Sequence, residues 1–382
     1  MRHTLFLMIL LLSLSCTSRS QAKRDSIIDT LSDSLSDSIF STDTLRLLFV
    51  GDLMQHQEQI NAARTSTGYD YSTCFTYVKE EIKKADLSIA NLEVTLGGKP
   101  YKGYPAFSAP DEFLTAIHDA GFNVLVTANN HSLDRGKSGL ERTIQLIDSL
   151  KVPHAGTYIN ADEREKKYPL LLEKNGFRIA LLNYTYGTNG IPVTPPNIVN
   201  YIDTAIIAKD IEESKAMKPD AIIACMHWGI EYQSLPSKKQ KFLADWLLQK
   251  GVDHVIGSHP HVVQPIEVRE DSLTKEKHLV VYSLGNYISN MSARRTDGGL
   301  MVRMELVKDS TIRLNHCEYS LVWTARPIQS GKKNHQLLPI NLPSDSIPVN
   351  ARNSLRIFTN DARTHFNKHN QGIKEYLFYK KK

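Results

Sequence analysis

The feature that most constrains the fold of this 382-residue chain is a series of short apolar runs, each ending abruptly in polar or ionisable residues. Near-continuous apolar runs are typical of strands buried on both faces of a sheet. The runs begin at Leu47, Leu87, Val124, Ile179, Ala221, Val255 and Leu279. Alternation of such strands with helical segments predicts a layered α/β architecture. Ligands of this architecture bind beyond the carboxyl ends of the strands, where polar residues follow each run of this chain.

Apolar residues at helical spacing predict three helices between these runs. Their faces consist of Phe75, Val78, Ile82 and Ala85; of Leu140, Ile144, Ile147 and Leu150; and of Phe242, Leu243, Trp246 and Leu247. Pro236 suits the start of the third helix. Residues 300–306 alternate like a half-buried strand, and residues 311–319 are predicted to form its partner in a hairpin.

Composition divides the chain into four parts. Residues 1–16 form a leader, residues 17–44 a Ser- and Asp-rich tether, residues 45–330 the folded domain, and residues 331–382 a C-terminal tail in which residues 351–368 favour a helix. The composition of the tether cannot bury a core by itself. The net charge of +5 is mild and its basic residues are scattered, so we expect no nucleic-acid partner.

The leader has the layout of a secretory signal peptide, because Arg2 precedes an apolar stretch over residues 5–14. That stretch is too short to span a bilayer comfortably as a permanent helix. Cys16 follows small residues and resembles the lipidated cysteine of bacterial lipoproteins, although Ser13 stands where leucine is usual. A plain secretory peptide with an incidental Cys16 is the alternative. We expect a protein of the cell envelope, anchored to the membrane outside the cytoplasm by an N-terminal lipid, as a periplasmic or outer-membrane lipoprotein.

The residues that follow the apolar runs carry carboxylate, amide and imidazole groups. They are Asp52, Glu93, Asn130, His131, His227, His259 and His261. Ligands of these types suit divalent ions such as Mn, Fe or Zn. Taken singly, Asp52 is equally typical of a helix cap, Glu93 of a surface acid and His227 of a packed core histidine. Together they favour one shared metal site, since buried ionisable groups are unfavourable unless they are paired or bound to metal.

Two of these histidines flank a proline, in the segment His259-Pro260-His261. Alternate residues of an extended chain point the same way, so both imidazoles are expected to reach neighbouring points of one site. Gly257 is expected to let the backbone bend tightly just before them.

Six motifs in a fixed order resemble the CapA family of bacterial capsule, or poly-γ-glutamate, synthesis proteins. They are Gly51 to Met54, Asn91 to Glu93, Ala128 to Gly136, His227 to Tyr232, Gly257 to Gln264 and Tyr282 to Tyr287. The resemblance covers Leu45 to Tyr287, with the hairpin as an extension. The family is in turn similar to calcineurin-like metallophosphoesterases, which implies a four-layer α/β/β/α sandwich with a two-metal site.

The resemblance also implies a role for each candidate ligand. The first ion would be bound by Asp52 and His261, the second by Asn130, His227 and His259, and both by Glu93. His131 would be the catalytic general acid near the leaving group. The ions would activate a water and neutralise charge on the substrate.

Two positions depart from the phosphoesterase pattern. Met54 stands where a histidine is expected, and the bridging position carries Glu93 rather than aspartate. Thioether sulfur is a poor ligand for hard metals, so the first ion lacks one ligand. His56 could replace it only if the chain turned helical after Asp52. A site with one ion and a site with two ions are therefore both compatible with the sequence.

Further candidates lie within these motifs. Asp134 is expected to orient the imidazole of His131, or else to cap the helix that follows Gly136. Contacts with the substrate are expected from Glu231, Tyr232, Gln264 and Asn286.

Three functions fit these residues. The first is an exported, metal-dependent hydrolase, phosphoesterase-like, whose substrate is a phosphoester or an anionic polymer. The second is a non-catalytic accessory role in polymer binding, synthesis or export, alongside capsule-synthesis membrane proteins. The third is metal-assisted proton transfer or amide hydrolysis on a peptide-like substrate. Fold alone does not decide among them.

Overall fold

The computed structural model describes residues 43–309 and 311–379. The predicted leader and residues 17–42 of the predicted tether lie outside the described residues. The strands are β1 (Asp43–Leu53), β2 (Leu87–Leu92), β3 (Val124–Val126), β4 (His154–Ala155), β5 (Thr157–Tyr158), β6 (Leu170–Lys174), β7 (Phe177–Thr185), β8 (Ile198–Val199), β9 (Ala221–His227), β10 (His254–Ser258), β11 (Ile266–Glu270), β12 (Lys277–Val281), β13 (Asn286–Ile288), β14 (Gly298–Lys308), β15 (Ile312–Ala325), β16 (Gln336–Pro339) and β17 (Lys374–Glu375).

Helices connect most of these strands. They are α1 (Gln57–Ala63), α2 (Lys79–Ile82), α3 (Asp111–Ala120), α4 (Gly136–Ser149), α5 (Ala161–Lys167), α6 (Thr204–Ala216), α7 (Lys238–Gln249), α8 (Pro327–Ser330) and α9 (Val349–His369), with a 3-10 turn at Ser344–Ser346. Within the part of the chain that the structure describes, none of these helices is both long and apolar enough to cross a membrane.

The strands form two large sheets and one small pair. Among the described residues, the first sheet has nine strands in the order β16-β15-β14-β1-β2-β3-β4, with β13 beside β1 and β17 beside β15. The second sheet has six strands in the order β11-β12-β10-β9-β7-β6, and β5 pairs with β8. Strands β1 to β4 run parallel, as do β12, β10, β9 and β7. Their carboxyl ends therefore lie at one edge of each sheet.

Three apolar clusters arrange these sheets into layers. Phe49 of β1 and Ile223 of β9 belong to the cluster between the two sheets. Val50 points to the opposite face of β1 and packs in a cluster with Phe113 of α3, because successive strand residues alternate in direction. The outer face of the second sheet packs against α6 and α7, with Leu243 as one member. The prediction of a four-layer α/β/β/α sandwich is confirmed.

One helix differs from its prediction. Phe75 and Val78 lie in consecutive turns, and only Lys79–Ile82 is helical in this segment. The amide of Val78 donates to the carbonyl of Phe75 at 3.0 Å, which tightens the chain into turns. The predicted apolar face nevertheless exists, because both residues are buried together with Ile82.

The fold continues past residue 330, where the tail was expected to begin. β16 pairs antiparallel with β15 and covers an edge that the hairpin would otherwise leave open. Helix α9, which corresponds to the helix expected over residues 351–368, buries Leu355, Phe358 and Phe366 in the cluster between the sheets. Burial of these side chains explains why residues after 330 join the main body.

Candidate metal centre

The candidate ligands lie where the carboxyl ends of the two sheets meet. Asp52 is the penultimate residue of β1, and Glu93 directly follows β2. In the second sheet, His227 ends β9 and pairs in register with Ser258, the last residue of β10. The sandwich therefore brings side chains from distant parts of the sequence to one buried position.

Two triads share a glutamate at this position. One consists of Glu93, His227 and His259, and the other of Asp52, Glu93 and His261. The ligand atoms within each triad lie within 4.8 Å of one another. All five residues are buried, with at most 3% of their surface exposed. One carboxylate, that of Glu93, therefore belongs to both groups of candidate ligands, as the family resemblance implied for a two-ion site.

Unpartnered polar atoms test whether these residues fit a cation. Within the described chain, Asp52 Oδ2, both Glu93 carboxylate oxygens and His259 Nδ1 are buried without a hydrogen-bond partner. Buried carboxylates are strongly unfavourable without a compensating charge. Oxygen and nitrogen donors that converge in this way fit a divalent ion.

The position of Asp52 depends on a close approach of two backbones. The register between β1 and β2 shifts between Val50 and Asp52, a bulge that re-aims the side chain after it. A Cβ atom on Gly51 would lie 1.9 Å from the carbonyl oxygen of Gly285, so this position requires glycine. The amide of Asp52 donates to the same carbonyl at 3.0 Å.

His259 and His261 reach the site by a different backbone from the one expected. Their φ angles of 101° and 59° lie in the left-handed region, so the segment bends rather than extends. The two rings are 5.8 Å apart, and the His259 ring is 4.8 Å from that of His227. Gly257 serves close packing, because a Cβ there would lie 2.1 Å from the Tyr282 carbonyl oxygen. Strained backbone of this kind is typical of functional sites.

Burial sets the protonation of the centre. Desolvation, followed by the nearby charge of Asp52, raises the pKa of Glu93 well above its usual value. Desolvation lowers the pKa of His227 well below its usual value and that of His259 to about 3. Burial also opposes the charging of His261, but the Asp52 carboxylate, 3.5 Å from its Nδ1, raises its pKa above the usual value. Neutral imidazoles at His227 and His259 are the form that binds metal.

His131 and Asp134 form a buried pair beside the triads. His131 Nδ1 lies 2.7 Å from Asp134 Oδ2, and both side chains are at most 4% exposed. Asp134 Oδ2 also accepts a hydrogen bond from the amide of Phe107 at 2.8 Å, and the Phe107 ring packs 4.6 Å from the imidazole. The aspartate therefore fixes the proton on Nδ1 and leaves Nε2 as the nitrogen that can act on a ligand. It does not cap α4, whose N-cap residue is Arg135.

Asparagines connect the ligands, and several of them escaped the sequence analysis. Asn130 Oδ1, a predicted ligand atom, lies 2.8 Å from His227 Nε2. Asn91 was not predicted, yet its Nδ2 contacts both Asp52 Oδ1 and His227 Nδ1. Asn183 of β7 accepts hydrogen bonds from the amides of Thr127 and Ala128, which ties the loop that carries Asn130 to the second sheet. The sequence signal that could have identified Asn91 and Asn183 is that each directly follows an apolar run.

The position of the missing histidine is filled by a buried methionine. The carbonyl of Met54 accepts from Gln59 Nε2 at 3.0 Å, and its thioether belongs to the apolar cluster on the outer face of the first sheet. His56 does not replace it, because β1 ends at Leu53 and His56 is the N-cap of α1. His56 Nδ1 lies 3.3 Å from Gln59 Oε1, and the ring belongs to neither triad.

Exposed side chains mark the mouth of the centre. Tyr232 is 56% exposed and its ring lies 6.2 Å from that of His261. Glu231 is also exposed and forms a further group with His259 and His261. Tyr186, which the sequence analysis missed, is 44% exposed and packs 4.5 Å from the ring of His259.

Two predicted substrate contacts are corrected by the structure. Gln264 is completely buried, accepts from Gln240 Nε2 and donates to the carbonyls of Gln233 and Leu235, so it fixes the loop beneath Glu231 and Tyr232. Asn286 is also completely buried. Its Oδ1 lies 3.0 Å from His261 Nδ1, and its Nδ2 donates to the carbonyl of Thr296. Asn286 therefore orients a candidate ligand instead of facing a substrate.

Comparison with models of known protein families identifies the family of this chain. A family model described as "Bacterial capsule synthesis protein PGA_cap" matches residues 46–291. The chain belongs to this family. The matched region of this PGA_cap chain contains both triads, the His131–Asp134 pair and the exposed side chains at the mouth.

Two CapA proteins are similar over most of the PGA_cap chain. "Capsule biosynthesis protein CapA" of Bacillus anthracis is 28% identical over 286 residues, which cover 72% of this chain and 66% of that protein. "PGA biosynthesis protein CapA" of Bacillus subtilis is 29% identical over 281 residues, which cover 72% of this chain and 71% of that protein. This chain thus spans about two thirds of the length of these curated relatives.

Among solved structures, the calcineurin-like phosphoesterase YfkN from Bacillus subtilis is similar at 13% sequence identity with a TM-score of 0.45. The similarity covers 84% of this chain and 99% of that chain.

Proposed function

We propose that this PGA_cap chain is a metal-dependent hydrolase that acts on an anionic substrate during synthesis or export of a capsule or poly-γ-glutamate-type polymer. The substrate class is a phosphoester or an amide-linked anionic polymer. The observation that carries the proposal is the pair of triads sharing Glu93, directly beside the oriented His131. A site that only holds an anion does not need a buried imidazole whose tautomer is fixed by a carboxylate.

Each residue then has a defined task. The two triads, which share Glu93, would hold one or two divalent ions, which we propose to be Mn, Fe or Zn and which would supply Lewis acidity towards the substrate. His131, as the imidazolium, would donate its Nε2 proton to the leaving group, and Asp134 would hold the proton that stays on Nδ1 and balance the positive charge. Tyr186 and Tyr232 form walls of the cleft through which the substrate enters.

The N-terminal sequence supports a proposal about location. We propose that Cys16 carries a lipid that anchors the chain to a membrane outside the cytoplasm, in the periplasm or at the outer membrane. The Ser- and Asp-rich tether would separate the anchor from the folded body. Capsule-synthesis membrane proteins are the partners proposed for this location. Labelling with a radioactive fatty acid, with Cys16→Ser as control, tests the anchor.

A non-catalytic role is the second candidate, and position 54 favours it. With Met54 in place of a histidine, one ion position has three protein ligands instead of four. A weakened centre of this kind could hold carboxylates of a polymer without hydrolysing them. Metal-assisted proton transfer at a peptide Cα is compatible with the same residues.

Metal analysis followed by a substrate screen tests the proposal. Residues 17–382 are purified, reconstituted with Mn, Fe or Zn, and analysed for bound metal by mass spectrometry. Phosphomonoester, phosphodiester and γ-glutamyl substrates are then tested, with His131→Ala as the matched variant. We expect bound metal in both proteins and turnover that His131→Ala lowers about 10²–10⁴-fold.

The outcomes separate the candidates. Bound metal without turnover of any substrate class would favour the non-catalytic role. Full activity of His131→Ala would remove the acid assignment. Absence of metal after reconstitution would contradict both candidates.

A further inference from the structure

The two ion positions differ in how many ligands the core supplies. The position beside Glu93, His227 and His259 has Asn130 as a fourth donor, because Asn130 Oδ1 lies 2.8 Å from His227 Nε2. Among the described residues, the group of Asp52, Glu93 and His261 has no fourth histidine, cysteine or carboxylate that is buried. The buried amide beside it, Asn286, contacts Nδ1 of His261 through Oδ1 at 3.0 Å and orients that imidazole.

The residues nearest in sequence cannot supply the missing donor. Met54 is 2% exposed, and its thioether packs in the apolar cluster on the outer face of the first sheet. His56 binds Gln59 through Nδ1 and packs edge-on against Phe107, with 5.4 Å between ring centroids. A fourth donor must therefore come from another segment.

Glu231 lies on the loop that follows β9, far from Met54 in sequence. One of its carboxylate oxygens lies within 4.8 Å of nitrogens of both His259 and His261. Glu231 thus lies between one histidine of each triad, and His261 is the one that belongs to the triad without a fourth donor.

The loop that carries Glu231 is fastened to the same histidine segment. The amide of Tyr232 donates to the carbonyl of Pro260 at 2.8 Å, between the two histidines. Tyr232 and Gly229 have φ angles of 67° and 98°, so the loop turns sharply on both sides of Glu231. Gln264 holds the next turn by donating to the carbonyl of Gln233. Two hydrogen bonds therefore hold the backbone of this loop beside the histidine segment.

An independent observation indicates that a cation belongs there. Asp52 Oδ2 and both oxygens of Glu93 are buried and have no hydrogen-bond partner in the described chain. Asp52 is completely buried, and its Oδ2 lies 3.5 Å from His261 Nδ1. The Asp52 carboxylate thus faces His261 alone on its Oδ2 side, and Glu93 has no hydrogen-bond partner for either oxygen, so the triad is short of positive charge.

We propose that Glu231 is a ligand of the ion held by Asp52, Glu93 and His261, in place of the imidazole that position 54 lacks. The inference rests on the proposed metal centre and deepens it. Glu231 is the exposed member of this ligand set, so the ion is completed from the cleft rather than from the core. An anionic substrate entering the cleft therefore competes with the Glu231 carboxylate for this ion.

Calorimetric titration of the metal-free chain with Mn²⁺ tests the proposal without reference to activity. The wild-type chain is expected to bind two ions with distinct affinities. Glu231→Gln keeps the size and exposure of the side chain, and we expect it to weaken the second, looser ion by more than about tenfold while the tighter ion is unchanged. Glu270→Gln, an exposed glutamate on β11, is the matched control.

Spin coupling gives a second readout of the same site. Two Mn²⁺ ions held by the two triads would be close enough to give an exchange-coupled electron paramagnetic resonance signal, because the triads share Glu93. At a metal concentration between the two affinities, Glu231→Gln should show the signal of an isolated ion, and Glu270→Gln should retain the coupled signal.

A histidine at position 54 offers a rescue. Met54→His combined with Glu231→Gln is expected to restore the looser ion. Met54 is buried, so this comparison is made only if the metal-free double variant unfolds cooperatively at a temperature close to that of the wild type. The decision itself rests on Glu231→Gln.

The outcomes distinguish this inference from the proposed function. Two ions with unchanged affinities in Glu231→Gln would overturn the inference and leave the metal centre intact. A single ion in the wild type, bound equally well by Glu231→Gln, would also overturn it. No ion in the wild type would overturn both. Selective loss of the looser ion would support it.

Discussion

Asn91 donates a hydrogen bond of 2.7 Å from its Nδ2 to Oδ1 of Asp52. The same nitrogen lies 3.3 Å from Nδ1 of His227, in the other sheet. Asn129 in turn donates to Asn91 Oδ1 at 3.3 Å and to the carbonyl of Leu92 at 2.8 Å. One amide thus orients a ligand from each triad, and the Glu93 that they share follows two residues later.

This relationship predicts that Asn91→Ala weakens metal binding although Asn91 is not in either triad. Residues that orient ligands contribute about 10–100-fold in metal affinity. We expect a loss of that size for Mn²⁺, measured by calorimetric titration. Asn175→Ala, which removes an exposed amide far from the triads in sequence, is the control. Unchanged affinity in Asn91→Ala would show that Asp52 and His227 are held by their own strands.

Glu93→Gln is predicted to have opposite effects on the metal-free and metal-loaded chains. Because burial and Asp52 raise the pKa of Glu93, the unfolded chain loses this proton above its ordinary pKa of 4.5 while the folded chain retains it. The metal-free fold therefore loses stability as pH rises above 4.5, and glutamine removes this penalty. At pH 7.5 we expect Glu93→Gln to stabilise the metal-free chain by about 1–3 kcal/mol.

Addition of metal should reverse the order. Ligand binding stabilises the wild type by about 2.7 kcal/mol at a metal concentration of 100 times Kd. Glu93→Gln should gain much less because both triads lose a carboxylate. Thermal unfolding with chelator and with Mn²⁺ measures both effects. A metal-free Glu93→Gln chain that is less stable than the wild type would contradict the assignment of Glu93 as an uncompensated acid.

Asp134→Asn is predicted to lower turnover without loss of metal. Asp134 accepts from Phe107 N at 2.8 Å and fixes the His131 tautomer at 2.7 Å. Both contacts are made by Oδ2, so the amide oxygen of asparagine can accept from both groups, but it lacks the negative charge that stabilises a protonated His131. We expect kcat to fall about 10–100-fold with the metal content unchanged. Steady-state kinetics and metal analysis of the same variant test this prediction. Loss of metal together with activity would show that Asp134 maintains the structure of the metal centre instead of acting through His131.

The main ligands could be predicted from the sequence because parallel strands deliver them to a common edge. Asp52, Glu93 and His227 each end or follow a strand, and strand ends are visible where an apolar run stops. A layered α/β architecture could be predicted from the apolar runs, whereas the four-layer order was implied by the family resemblance. The prediction of layers depends on runs long enough to be buried on both faces, as in β9.

The remaining details depend on contacts between segments far apart in sequence. Asn91 and Asn183 are indistinguishable in sequence from ordinary polar residues at a strand end, and their partners lie in other strands. Gln264 and Asn286 belong to family motifs, yet both side chains are completely buried in the folded chain. His259 adopts a left-handed φ that local sequence preference does not favour for a histidine. Tertiary packing imposes each of these features.

His254 is predicted to make the fold acid-sensitive independently of the metal centre. Its ring is buried at the start of β10, and its Nδ1 accepts a hydrogen bond from the amide of Leu279 at 3.0 Å. Desolvation, with a smaller effect of His278, lowers its pKa from 6.5 to about 3. Below pH 6.5 the unfolded chain therefore binds a proton that the folded chain excludes. The stability contributed by neutral His254 is complete above pH 6.5 and is lost as pH falls towards 3.

Urea unfolding with chelator present measures this effect. For the wild type, His254 should account for a loss of about 2–3 kcal/mol between about pH 7 and pH 4.5. His254→Asn retains an acceptor for the Leu279 amide, but its side chain does not titrate in this range. Between the same two pH values, the free energy of unfolding of His254→Asn should therefore fall about 2–3 kcal/mol less than that of the wild type. His118→Asn, at an exposed histidine of α3, should follow the wild-type curve. Parallel curves for His254→Asn and the wild type would show that His254 takes up its proton equally in both states.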